Sequence, residues 1–211
     1  MFKSQFMEMF GEPIKAPKYP LVEIGQMGIV MTGTTPSMKK SIYYDSNDIM
    51  FIKPGDMTED HVTTIVSAES YISENARSVG RIFPKNSVLI TCIGTIGKVG
   101  IATEESSCNQ QINVIVPNQF VNSLYLAHAL LRIRKRLQEA ANAPVVPILN
   151  KSDFSRITLP MPPQELQKQF ADFVRQSDKS KVNFKRIFTA RISVCKYIID
   201  KHVITISLEV L

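Results

Sequence analysis

The sequence contains no tryptophan and only three cysteines, Cys92, Cys108 and Cys195. No Cys-x-x-Cys pair occurs, which excludes a zinc ribbon and a thioredoxin-like redox motif. An odd, widely spaced set fits a reducing cytoplasm, and two of the three stand in apolar strands, where a thiol behaves as a small buried hydrophobe. No apolar run approaches the roughly 20 residues of a membrane span. The opening Met1-Phe2-Lys3-Ser4-Gln5-Phe6 is polar by its third residue and lacks a signal-peptide core. Catalytic motifs are missing as well. His61, His128 and His202 form no His-Glu-x-x-His, and there is no Gly-x-Ser-x-Gly elbow. No acidic residue stands two positions before a lysine, which removes a common metal-nuclease pattern, and Met161-Pro162-Pro163-Gln164 departs from the Asn/Asp-Pro-Pro-aromatic signature of amino-methyltransferases. The chain reads as catalytically empty, with no metal or cofactor of its own.

What is present is a basic, well-punctuated globular sequence. Its 211 residues include 25 Lys and Arg against 19 Asp and Glu, for a net charge of +6, and 12 prolines. The length allows one substantial domain with an appendage. The basic excess suits a polyanionic partner without demanding one. The most informative stretch runs from Val88 to Val116. Val88–Ile93, Val99–Ile101 and Cys108–Val116 read as strands, being rich in Val and Ile and bounded by Gly, Asn and Pro. Between them lie the loop Gly94-Thr95-Ile96-Gly97-Lys98 and the amide run Asn109-Gln110-Gln111. Amides placed among apolar strands need partners, either inside the fold or on a ligand.

Elsewhere two periods alternate. Phe2, Phe6, Met9 and Phe10 mark a short amphipathic helix that cannot be stable alone and must dock, in this chain or on another. Gly11 ends it, and Pro13, Pro17 and Pro20 read as an extended linker. Ile29–Thr32 and Ile49–Ile52 read as strands. Leu126, Leu130, Ile133 and Leu137 lie on one face of a helix over roughly 121–141, with Arg132, Lys135 and Arg136 opposite and Arg134 at the flank. Ile148 to Met161 reads as extended. From Pro163, Leu166, Phe170, Phe173, Ser177, Ser180, Phe184 and Ile187 repeat at coiled-coil spacing, a stripe that needs a partner helix. The expected architecture is a mixed α+β fold: a twisted, mostly antiparallel sheet with flanking helices, plus a long C-terminal helix. The expected segments are an N-terminal helix over 1–12, a globular domain over 13–162, the long helix over 163–193 and a tail from 194 to 211.

Each candidate site has two readings. The Gly94–Lys98 loop fails the Walker pattern in its glycine spacing and in having Val99 after the lysine, so it is a tight turn; Lys98 and its N–H groups can still meet a phosphate. The cluster Arg132, Arg134, Lys135 and Arg136 is either a solvated helix face or a phosphate-facing one. Lys39 and Lys40 with Tyr43 and Tyr44 carry the same choice, the tyrosines otherwise being half-buried strand residues. Asn109, Gln110 and Gln111 either satisfy backbone groups at a strand edge or read bases, since Asn and Gln bond bidentately to adenine in the major groove.

Five motifs in order carry a resemblance. They are Thr32-Gly33-Thr34-Thr35-Pro36; Ile49–Asp56 after a Tyr-Tyr pair; Gly94-Thr95-Ile96-Gly97-Lys98-Val99-Gly100; Cys108-Asn109-Gln110-Gln111; and Leu159–Glu165 leading into a long helix. Together they resemble one target recognition domain of the type I restriction-modification specificity subunits, over roughly residues 1–188. The resemblance implies a non-catalytic reader of one half of a bipartite double-stranded DNA target. It implies recruitment of modification (methyltransferase) and motor-nuclease subunits, on which S-adenosylmethionine, ATP and magnesium would act, and no membrane. With a single recognition domain the chain resembles a half-subunit, expected to pair as a homodimer through the 163–193 helix. Two other readings stand beside it: a small nucleotide-binding enzyme built on Gly94–Lys98, and a helical protein-interaction module.

Overall fold

The computed structural model describes residues 2–141 and 146–178. Contacts divide the chain into two units, residues 1–171 and 172–211. The described part of the second, residues 172–178, is helical, with Arg175 paired to Asp172 at 2.9 Å. Cys195, Phe184, Ile187 and the 194–211 tail lie outside the described residues.

The first unit is α+β. Helix α1 (Phe2–Phe10) leads into a hairpin of β1 (Gly11–Glu12) and β2 (Ala16–Pro17), where the prolines alone suggested a linker. Strand β3 (Leu21–Glu23), helix α2 (Ile24–Met27) and β4 (Gly28–Thr32) follow. Next come β5 (Ile49–Ile52), β6 (Thr63–Ile65), β7 (Tyr71–Ile72) and β8 (Ile82–Phe83). The central stretch supplies β9 (Val88–Thr91), β10 (Val99–Ala102), β11 (Ser106–Cys108) and β12 (Ile112–Pro117). Helices α3 (Ser123–Arg132), α4 (Arg134–Glu139) and α5 (Lys151–Arg156) precede β13 (Thr158–Pro160), which pairs with β3.

Two sheets enclose the core. One has the order β4-β12-β9-β10-β6 and the other β7-β5-β11-β8. Only β10 with β6 and β11 with β5 pair in parallel; the other pairings among the described residues are antiparallel. Met50, Ile52, Phe83 and Cys108 from the second sheet pack with Leu89, Ala102, Ile112 and Val114 from the first. The period of two is explicit in β5: Met50 and Ile52 face this core while Ile49 and Phe51 pack with Ile72 and Ala76 on the other side. Cys92 and Cys108 are free and buried, and burial raises both thiols, Cys92 to about 11.

The structure departs from the sequence reading in four further places. Cys108 to Val116 is two strands in two sheets, with Asn109–Gln111 as the turn between them. The 121–141 helix breaks at Ile133, whose φ of −96° and ψ of 14° leave the helical region. Residues 148–161 contain α5, capped by Asn150, whose side chain accepts from Asp153 N. Ser41–Tyr43 is a 3-10 turn rather than a strand.

Helix α1 docks within its own chain. Phe6 and Phe10 are fully buried against Tyr125 and Phe170, with ring centroids 4.9 Å apart for Phe10–Tyr125 and 5.4 Å for Phe6–Phe170. The helix expected from Pro163 begins at 164. Within the first unit it contributes the buried Gln167, Phe170 and Ala171, leaving Leu166 partly exposed. Gln167 donates from Nε2 to the carbonyls of Phe120 and Pro162 and accepts from Asn122 N at 2.8 Å, so its burial is fully compensated.

His128 sits in the same aromatic cluster, edge-on to Phe2 and Phe170. Burial, helped by the nearby Arg132 charge, lowers its pKa from 6.5 to about 4. The imidazole is therefore neutral in the folded chain, and the unfolded chain binds its proton more readily. Its contribution is intact above pH 6.5 and is lost as pH falls from 6.5 through 4. Denaturation of wild type and His128→Phe should show a stability difference that shifts in the variant's favour across that window and is flat above pH 7.

Candidate nucleic-acid interface

The two sheets are joined by the turn Asn109–Gln111, and three separated segments hold it. Asn109 N donates to Ile52 O at 3.2 Å, and Ile112 N closes the turn on Asn109 O at 3.2 Å. Cys92 N donates to Gln111 O at 2.8 Å, and the Cys92 thiol lies 3.9 Å from Gln110 O. On the other side, Gly33 N donates to Ile112 O at 3.0 Å and Thr34 N to Cys108 O at 2.9 Å. A Cβ on Gly33 would stand 2.1 Å from Asn109 O and 2.4 Å from Cys108 O, so only glycine allows this approach. The Thr32–Pro36, Ile49–Asp56 and Cys108–Gln111 motifs, far apart in sequence, meet here.

The three amides differ in exposure and use. Asn109 is half-buried and satisfied within the turn: its Oδ1 accepts from Gln111 N at 3.1 Å and its Nδ2 donates to Gln111 Oε1 at 2.9 Å. Gln111 is half-buried as well. Gln110 is exposed, and its Oε1 accepts from the Thr35 hydroxyl at 2.7 Å. The amide run thus divides between the two readings, with Asn109 serving the fold and Gln110 offered outward. Asn113 is fully buried and belongs to the core, taking Thr32 Oγ1 at 2.7 Å and donating to Leu149 O.

Beyond Pro36 the chain forms a projecting loop that is tied down at its base. Lys40 N donates to Ser37 O, Tyr44 OH to Pro36 O at 2.6 Å, and Ser73 N to Tyr43 O at 2.9 Å. Tyr43 packs half-buried against the Ile49, Phe51, Ile72 and Ala76 cluster. Lys40 Nζ lies 5.3 Å from the Tyr43 ring centroid and donates to its hydroxyl at 3.3 Å. Lys39 is exposed, and so are Met38 at 82% and Ile42 at 50%. Met38 and Ile42 thus flank the two lysines with exposed apolar side chains, an arrangement suited to a contact surface. Sequence reasoning missed Thr35 as the partner of Gln110, and Arg81, an exposed guanidinium that donates to Thr32 O at 3.0 Å beside the same loop. Thr35 lay inside a noted motif, but no spacing rule links positions 75 residues apart.

The helical basic cluster is not a uniform cationic face. The break at Ile133 sends its members in different directions. Arg134 is engaged internally: its guanidinium meets Glu59 Oε2 at 2.6 Å and Glu59 O at 2.8 Å, and its Nε donates to Ile96 O. The guanidinium holds the Glu59 carboxyl below its ordinary range, by hydrogen bond first and charge second. The Arg134 stem covers Gly97, where φ is +89° and a Cβ would stand 2.6 Å from Arg134 Cγ. Gln138 Nε2 also donates to Ile96 O, and Lys98 Nζ to Pro54 O at 3.0 Å. These contacts commit the Ile96 carbonyl and the Lys98 ammonium to the fold, so the lysine of the Gly94–Lys98 turn is already engaged. Arg132 is half-buried, its Nε enclosed and without a hydrogen-bond partner, and desolvation lowers its pKa. Lys135 is exposed and Arg136 half-exposed, so within the cluster these two remain open to solvent. Among the described residues no group of three or more His, Cys, Asp and Glu is arranged to hold a metal, and no helix is long and apolar enough to cross a membrane.

Residues 18–192 match the family described as the type I restriction modification DNA specificity domain. The chain is 29% identical over 176 residues to the type I restriction enzyme HindI specificity subunit of Haemophilus influenzae, covering 80% of this chain and 38% of that protein. It is 30% identical over 177 residues to the MjaIX specificity subunit of Methanocaldococcus jannaschii, covering 82% and 41%. It therefore spans about two fifths of the length of these curated relatives. In fold it is similar to the HsdS subunit from Thermoanaerobacter tengcongensis, with a TM-score of 0.64 at 19% identity over 88% of this chain and 44% of that one. It is similar also to a chain from a structure of the type I R-M system, with a TM-score of 0.66 at 18% identity over 88% and 45%.

The internal role of Arg134 separates it from its neighbour. Arg134→Ala should lower the melting temperature by a few degrees, because it removes the bonds to Glu59 and to the Glu59 carbonyl and uncovers Gly97. Lys135→Ala should leave the melting temperature unchanged. Calorimetry of both variants checks this, and equal melting points would assign Arg134 to the surface.

Proposed function

Because the chain belongs to the type I restriction modification DNA specificity domain family, we propose that it reads double-stranded DNA sequence as the non-catalytic recognition module of a type I restriction-modification system. The observation that carries this reading is the turn at Asn109–Gln111: a backbone fixed by three separate segments that holds amides at the surface beside a projecting loop with two lysines. Base reading needs hydrogen-bonding groups held in register, and phosphate contacts supply affinity without sequence information. Gln110 is the exposed base-reading candidate, with Tyr43 and Thr35 positioning it and its loop. Lys39, Lys40, Lys135 and Arg136 are the phosphate candidates. Lys98, Arg132 and Arg134 serve the fold, and Asn109 acts within the turn.

The same reading places the chemistry on partner chains. Modification subunits would carry S-adenosylmethionine, and motor-nuclease subunits ATP and magnesium, all acting in the cytoplasm. Two copies of the chain pair through the 163–193 helix. Leu166 of its heptad stripe is left partly exposed, whereas Phe170 is taken up by the first unit. A symmetric pair would read a palindromic split target.

Lys39→Ala with Lys40→Ala should weaken binding to every duplex alike and reduce the slope of log K against log salt by about 0.9 for each phosphate that is no longer neutralised. Gln110→Ala should instead cost roughly 1–3 kcal/mol at one base position. Fluorescence anisotropy over a salt series with single-base-substituted duplexes separates the two, and a Gln110→Ala loss equal for all duplexes would remove its reading role.

Light scattering at high concentration, with and without DNA, should show a dimer. A strict monomer in both conditions would overturn the pairing.

A further inference from the structure

Asn109, Gln110 and Gln111 are chemically alike, yet their hydrogen bonds give them different polarity. A backbone N–H can only donate. The bond from Gln111 N to Asn109 Oδ1, at 3.1 Å, therefore fixes which end of the Asn109 amide faces the turn. Asn109 must then present Nδ2 to the Gln111 side chain, and that nitrogen can be met only by an acceptor. Gln111 answers with Oε1 at 2.9 Å. What remains of the Gln111 amide is Nε2, which has no partner among the described residues and is not enclosed. Its orientation follows from a relay that begins on a backbone hydrogen. Gln110 has no such relay. Its partner is the Thr35 hydroxyl, which can donate or accept, so that amide can serve either way round.

We propose that Gln111 is a specificity residue that reads through its Nε2 donors, that Asn109 is the positioning residue setting this polarity, and that the group read is an acceptor on a base edge in the major groove. Purine N7, guanine O6 and thymine O4 are the acceptors available there. The inference rests on the DNA-reading function proposed above. It disfavours a bidentate pairing of Gln111 with adenine, because Oε1, which would have to accept from adenine N6, is turned toward Asn109 with one of its two lone pairs already engaged.

Two substitutions should invert the polarity from opposite ends. In Asn109→Asp the carboxylate still accepts from Gln111 N, and its second oxygen accepts from Gln111 Nε2, which turns Oε1 outward. In Gln111→Glu the Asn109 Nδ2 donates to one carboxylate oxygen and the other faces out. Target sequences are selected from randomised duplexes with the full chain, and affinities are measured for wild type, Gln110→Ala, Gln111→Ala, Gln111→Glu and Asn109→Asp, each checked for an unchanged melting profile. Gln111→Ala should lose about 5- to 150-fold discrimination at one base-pair position. Gln111→Glu and Asn109→Asp should both move the preference at that position toward a base offering an amino donor, cytosine N4 or adenine N6. A uniform loss in Gln111→Ala would make the contact a phosphate one and overturn the proposal. So would Gln111→Glu retaining the wild-type preference, whatever the folding of Asn109→Asp. If Gln110→Ala shifts base preference while Gln111→Ala does not, this assignment fails and the DNA-reading function stands. If the wild-type chain selects no sequence, that function falls and this assignment with it.

Discussion

The Cys108–Ile112 turn is the constraint on which the rest of the domain depends. It is the crossing point from the four-stranded to the five-stranded sheet, so the core between them exists only if this backbone is placed correctly. Its peptide groups are bonded to Gly33 and Thr34, to Ile52 and to Cys92, three places that sequence separation would otherwise let drift. Each bond is individually modest, of order 1 kcal/mol net. Their joint effect is on geometry: the turn has no alternative conformation that keeps all of its partners. A residue displayed on such a turn has a defined position before any ligand arrives, so less ordering is needed on binding.

This arrangement explains why the motifs that carry the family resemblance are mostly not the proposed reading surface. Gly33 and Gly97 are required by close approach, Gly33 to the Cys108–Asn109 carbonyls and Gly97 to the Arg134 stem. Lys98 ends on the Pro54 carbonyl and Thr91 on the backbone of the same glycine loop. They tie the 49–56, 94–100 and 108–111 segments together. The groups left over at the surface, the Thr35 and Gln110 pair, Gln111 Nε2 and the loop bearing Lys39 and Lys40, sit on that scaffold rather than in it.

How much was legible follows from the range of each interaction. Strands such as Val88–Thr91 and Ile49–Ile52 were legible because burial on both faces leaves a continuous apolar run. The α1 face was legible from Phe6 and Phe10 one turn apart, although nothing local said that Tyr125 and Phe170 would receive it. The break at Ile133 was invisible: no Pro or Gly marks it, and the helical period continues through it. The fate of Arg134 was equally hidden, since its partner Glu59 lies 75 positions away and an arginine in a basic run carries no local sign of being engaged. Residues 148–161 hid α5 because an Asn-capped helix of six residues is too short to show a period. The amide run was recognised as anomalous for a sound reason, unsatisfied polarity among apolar strands, but which amide serves the fold depends on which backbone hydrogen it meets.

The charge distribution constrains the DNA-reading function proposed for the chain. A net charge of +6 suggests broad electrostatic affinity, yet Arg134 and Arg77 are paired with carboxylates, Arg132 is half-buried, and Lys98 and Lys53 are hydrogen-bonded to the fold. Near the amide turn the cations facing solvent are chiefly Lys39 and Lys40, with Arg81 partly committed to Thr32 O. Counterion release scales with the phosphates actually neutralised, not with formal charge, so this face supplies only modest sequence-independent affinity. Fixed amides contribute the complementary quantity: little binding to an arbitrary duplex, and a penalty whenever the wrong base edge meets a donor that has nowhere else to point. A surface with weak general attraction and rigid polar groups discriminates better than it holds. That balance suits a module whose binding strength comes from acting in concert with a second reading surface, because linking two weak sites multiplies affinity while preserving the selectivity of each.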